Sequence, residues 1–117
     1  MKINEILASA DAIEKNAFLP REKAATVCRF EERLRKEFLN EDAELSYPDC
    51  EDVEMMLPDR WTEIYVYYLA AMICFWHKDF AEYNSYITVF SAMMEDYRRE
   101  RAQAGGEVPA NFVNLFG

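Results

Sequence analysis

Residues 61–79, WTEIYVYYLAAMICFWHKD, run directly into residues 80–100, FAEYNSYITVFSAMMEDYRRE, and the two stretches read as consecutive aromatic-rich helices. In the first, Trp61, Ile64, Tyr65, Tyr68, Leu69, Met72, Phe75 and Trp76 recur at helical spacing, and the apolar set spreads well beyond the ~100° stripe of a one-sided surface helix. Such a helix needs cover on more than one side. In the second, Phe80, Tyr83, Ile87, Phe90, Met94 and Tyr97 step by three and four and fall on one seam that can lie along the first helix. The expected fold is all-α: a small bundle of about four helices grown from this pair, with a long acidic loop and an apolar C-terminal tail.

The chain divides into helices at 3–15, 20–39, 59–76 and 79–104, an acidic loop at 40–58 and a tail at 105–117, within a single domain spanning 1–117. Ile3, Ile6, Leu7, Ala10 and Ile13 keep helical period, and Asn16 is placed to end that helix in the left-handed conformation. Pro20 suits the first turn of the next helix, where its missing N–H is an orphan donor anyway. Val27, Phe30, Leu34 and Phe38 carry the buried stripe of this second helix, with Ala24 and Cys28 beside it. The mixed run Glu31, Glu32, Arg33, Arg35, Lys36 and Glu37 reads as a solvated face stitched by i,i+4 pairs. Beyond Asn40 the period fails, and Pro48, Pro58 and the acidic excess predict a loop with at most one short turn of helix. Val53, Met55, Met56 and Leu57 predict that its end packs down. His77-Lys78-Asp79 is a tight turn with Asp79 capping the fourth helix, which Gly105-Gly106 stops. Phe112, Val113, Leu115 and Phe116 make the tail too apolar for a disordered segment and predict that it docks as a strand or as a peptide in a groove.

The formal net charge is -9, which argues against a general nucleic-acid or membrane binder, since those cluster Lys and Arg. Glu41, Asp42, Glu44, Asp49, Glu51, Asp52, Glu54 and Asp59 concentrate the excess in one segment free of Lys and Arg. Seven Tyr and two Trp in 117 residues supply the amphipathic aromatics that interfaces favour, as well as core filling. Cys28, Cys50 and Cys74 are an odd set without C-x-x-C spacing, so neither a zinc cage nor a disulfide framework is suggested, and a reducing cytosol fits them. No apolar run reaches the ~20 residues that span a bilayer, and the N-terminal segment reads as a helix, not as a signal peptide.

Chemistry-bearing patterns are sparse. His77 has no metal-spaced partner and reads as a helix end or a surface residue. All three glycines lie after residue 104, which excludes phosphate-cradling loops and dinucleotide fingerprints. Asp49, Glu51, Asp52 and Glu54 lack the spacing and the turn glycine of a calcium loop. No catalytic, cofactor or metal site is expected.

One resemblance is sharper. Ile3 to Leu7 (I-N-E-I-L), Tyr65 with Tyr68 to Ile73, Tyr83-Asn84 and Phe90-Ser91 resemble the shared core of a group of small proteins encoded among the head and tail genes of phages and prophages of gut and other low-GC Gram-positive bacteria. The chain departs from that pattern where Cys74 stands for the usual Asp, His77-Lys78 for Asn-Gly and Ser91 for Asn. The missing glycine predicts a tight, strained residue at the turn, at a cost of about 1 kcal/mol. The group is similar in size and helical layout to the head-tail connector, or adaptor, proteins of long-tailed phages, which form rings beneath the portal through which DNA passes.

The resemblance implies a structural virion assembly protein, not an enzyme. It would form a homo-oligomeric ring against portal and tail-completion proteins, with transient passage of DNA and no membrane contact. Its place would be the cytoplasm of the bacterial host and, once assembled, the virion neck. Trp61, Tyr65, Tyr68, Phe112, Val113, Leu115 and Phe116 are the expected interface, and Glu41, Asp42, Glu44, Asp49, Glu51, Asp52 and Glu54 the expected channel loop. The acidic segment also suits a different class, a helical regulatory module that masks a basic partner surface.

Overall fold

The structure, a computed structural model, describes residues 1–105. Ile3–Ile13 (α1), Pro20–Leu39 (α2), Glu63–Trp76 (α3) and Phe80–Gln103 (α4) succeed one another, with a single 3₁₀ turn at Asp59–Trp61 and no strand among the described residues. The described chain is all-helical, as the periodicity predicts. None of its helices is long and apolar enough to cross a membrane.

α3 sits in the middle, touching α1, α2 and α4. Ile64, Tyr65, Val66, Leu69, Ala70, Ala71, Ile73 and Cys74 are buried around most of its circumference, and the Ala70-Ala71 pair lets neighbouring helices come close. α1 lays Ile3, Ile6, Leu7 and Ala10 on it, spaced to line one helix face. α4 contributes Phe90, Met94 and Tyr97, and Phe30 of α2 meets the rings of Tyr65, Tyr68 and Phe90 at 5.9, 4.4 and 5.5 Å between centroids.

Two expectations about the first half of the chain need correcting. α1 ends at Ile13 with Glu14 extended, and Asn16 is not left-handed. Its side chain does the work instead: Nδ2 donates to Asp11 Oδ1 and the Glu14 carbonyl, and Oδ1 accepts from the Phe18 N–H and Lys23 Nζ. Lys23 also reaches both Asp11 carboxylate oxygens, at 2.8 and 3.0 Å. Burial raises the Asp11 carboxyl, but these bonds outweigh it and hold the group below its ordinary value.

The second correction is Glu31. Its side chain is not part of a solvated face but fully buried. It lies four residues after Val27, on the same stripe as Phe30, Leu34 and Phe38, so helical geometry carries it inward.

The left-handed residue of the first half is Asn40, at φ 54°, which ends α2 while its N–H and that of Glu41 close onto the carbonyls of Lys36 and Arg35. Residues 40–58 then run without helix except for the turn at 47–52. Met55 and Leu57 pack down into the core, as their apolarity predicts. At the other punctuation point Lys78 takes φ 62°, the strained conformation expected where glycine is missing. Asp79 Oδ1 accepts the Glu82 N–H to cap α4. Gly105, at φ 82°, follows the end of α4.

Candidate interaction surfaces

The α3–α4 hairpin separates its aromatics into a covered base and a bare tip. At the base, Tyr65 is fully buried, which removes it from the expected interface. Its hydroxyl donates to Glu31 Oε1 at 2.5 Å and accepts the Leu57 N–H at 3.1 Å. Tyr68 is partly buried in its stack on Phe30, and burial pushes its phenol up. Trp61, also half-buried, sets its ring edge-on to Tyr97 and donates from Nε1 to Glu100. Arg60 pairs with the other oxygen of Glu100 at 2.6 Å. All three residues serve this chain's own packing, and only Trp61 and Tyr68 keep part of their surface exposed.

At the tip, Phe75 is 49% and Phe80 53% exposed. Their rings meet at 5.7 Å, and Tyr83 closes on Phe75 at 5.4 Å. The α1–α2 link reaches only the next residues of α3, where Phe18 packs on Trp76 and His77. Helical spacing put Phe80 on the α3 seam, but among the described residues no further element reaches the tip to complete the burial. His77 is the exposed C-cap of α3.

The acidic loop divides as well. Asp42 pairs with Lys36 at 2.9 Å, Glu41 lies 3.9 Å from Arg35, and Glu54 takes the N-terminal ammonium at 2.7 Å. That ammonium holds the Glu54 carboxyl below its ordinary range. Glu44, Asp49, Glu51 and Asp52 are exposed and form no ion pair among the described residues. No three His, Cys, Asp or Glu side chains there converge as a metal site would need. Phe112, Val113, Leu115 and Phe116 lie outside the described residues.

The loop is fastened by a cluster that spacing alone did not single out. Glu31 Oε2 accepts from Arg35 Nε at 2.8 Å and from the Met56 N–H at 2.7 Å, and Arg35 donates onward to the Glu54 carbonyl. With Tyr65 on Oε1, this one carboxylate joins α2, α3 and the end of the loop. Its placement on the α2 stripe was the available signal. Between α4 and the end of α1, Tyr86 donates to Glu14 at 3.1 Å, and burial, aided by that carboxylate, pushes the phenol up to about 12. A hollow of about 610 Å³ opens between α1 and the start of α3, lined by Ile13, Arg60, Glu63, Val66 and Tyr67 among others.

Compared with protein-family models, curated proteins and solved structures, the chain matches none of them. Its surfaces therefore speak through their own chemistry: an aromatic tip suited to apolar docking, and an acidic loop suited to repelling or attracting charge.

Proposed function

We propose that this chain is a structural assembly protein, a phage or prophage head-tail connector that oligomerises beneath the portal around the DNA channel. The observation that carries the reading is the tip of the α3–α4 hairpin, where Phe75 and Phe80 pack on each other and stay half exposed. Large apolar side chains that pack together yet face water are the kind of patch that association covers. The same hairpin holds most of the residues that resemble the connector-like group, from Tyr65 to Ser91. In a ring, each subunit would present this tip to the next, a head-to-tail contact that closes when the rotation permits. Glu44, Asp49, Glu51 and Asp52 would face the channel and keep DNA sliding instead of adhering. The tail at 105–117 would reach a neighbouring subunit or a tail-completion protein.

Light scattering over a wide concentration range tests this directly. The full chain is expected to form ring-sized particles, and a Phe75→Ser, Phe80→Ser double variant and a chain without its last ten residues are expected to stay small. A full chain that remains monomeric at every concentration overturns the self-assembling reading. Glu44, Asp49, Glu51 and Asp52, unpaired among the described residues, favour one second reading, a module that masks a basic partner. It predicts a small complex with a cationic protein that dissociates as salt is raised.

A further inference from the structure

Cys28 on α2 and Cys50 in the turn at 47–52 place their sulfurs 3.5 Å apart, although 22 residues separate them in sequence. Both are free thiols and both are buried, each 3% exposed. Neither is deep. Cys28 borders a hollow of about 260 Å³ with Arg21, Arg29 and Tyr47, and Cys50 borders another of about 230 Å³ with Glu44 and Asp49. A disulfide needs a sulfur separation of about 2.0 Å, so the pair must close by roughly 1.5 Å. Cys50 rides on a turn whose neighbours Asp49 and Glu51 are exposed, and a turn of this kind can supply that movement while the helix stays fixed.

We propose that Cys28 and Cys50 are a disulfide-forming pair, a modification site that takes hydrogen peroxide as its oxidant and locks the acidic loop onto α2. The Cys50 thiolate attacks one peroxide oxygen, the O–O bond breaks, and the leaving hydroxide takes up a proton as water. Cys50 is then a sulfenic acid. The Cys28 sulfur attacks the Cys50 sulfur, the S–O bond breaks, and the departing hydroxide leaves as water with the Cys28 proton. Two thiols and one peroxide thus give one disulfide and two waters. Cys50 takes the first attack because it rides on the turn, beside the exposed Asp49 and Glu51, while Cys28 is fixed in α2 and resolves the sulfenic acid; burial and the adjacent Cys50 sulfur push the Cys28 thiol up to about 12. Glu32 and Glu31 also disfavour a Cys28 thiolate, and because the thiolate is the attacking species the lock forms faster as pH rises.

The test treats the folded full chain with hydrogen peroxide at pH 8, then maps thiols by alkylation under denaturing conditions and by peptide mass spectrometry. The expected product has lost two hydrogens, links the peptides of Cys28 and Cys50 within one chain, and leaves Cys74 open to alkylation. Cleavage after Glu51 by a glutamate-specific protease should slow by about tenfold or more, because the bond suppresses local opening of the loop, and dithiothreitol should restore it. In a Cys28→Ser chain, dimedone should trap Cys50 as the sulfenic acid. Over-oxidation of Cys50 without a link, a link between two chains, or a link involving Cys74 would each overturn the assignment. The wild-type map decides even where the serine variant folds poorly.

Discussion

Glu31 shows how one side chain can hold three parts of this molecule together. A buried carboxylate is stable only when paired and fully hydrogen-bonded, and here Arg35, the Met56 N–H and the Tyr65 hydroxyl meet that need. Glu31→Ala strands all three donors and is expected to cost about 3–5 kcal/mol of unfolding free energy, read from urea denaturation. Tyr65→Phe keeps the ring but leaves the Leu57 N–H without its acceptor, and should cost about 2 kcal/mol. A variant as stable as the parent in either case would remove Glu31 from its central role. The inward position of Glu31 was legible, four residues after Val27, once the stripe was followed without regard to polarity. Its partners were not, because Tyr65 and Met56 reach it across gaps in sequence that no local spacing records. The same holds for Cys28 and Cys50.

Among the elements, the α3–α4 hairpin was the most readable, since two long periodic segments joined by a three-residue turn leave few alternatives. Lys78 in the left-handed region and the Asp79 cap both follow from local chemistry. Lys78→Gly should therefore stabilise the protein by up to about 1 kcal/mol, and Asp79→Ala should destabilise it by about the same amount. Thermal unfolding of the two variants, shifted in opposite directions, checks both. Tertiary surroundings were harder to read. Spacing put Phe80 on a buried seam, but burial also requires a third element beside it, and the link at Phe18 stops at Trp76 and His77. For the end of α1, the sequence pointed to Asn16, and the residue was right while its means was wrong: its amide group, not its backbone, closes that corner.

For the whole molecule, the direction of the buried titrations sets the pH response. Tyr65, Tyr68 and Tyr86 and the thiols of Cys28 and Cys74 are all raised above their ordinary values, chiefly by burial. Each stays protonated in the folded chain at a pH where its unfolded counterpart ionises. Their contribution is complete below about pH 9 and drains away as pH rises through 9 to 12. Asp11 is lowered, so its contribution is present above its ordinary value of 3.8 and is lost as pH falls through its folded value. Urea midpoints measured from pH 7 to 11 should therefore fall steeply at the alkaline end, and a flat profile there would contradict the burial of these phenols and thiols.

α4 has 24 residues, about 36 Å of helix, in a molecule whose longest extent is 42 Å. Its last turns grip both ends of the acidic loop. Arg101 donates to the Phe38 carbonyl, just before Asn40, while Glu100 holds Arg60 and Trp61, just after Pro58. Its first turn stands bare at Phe80. One helix thus carries the aromatic tip at one end and the loop's two anchor points at the other, a ruler that sets how far the tip stands from the carboxylates.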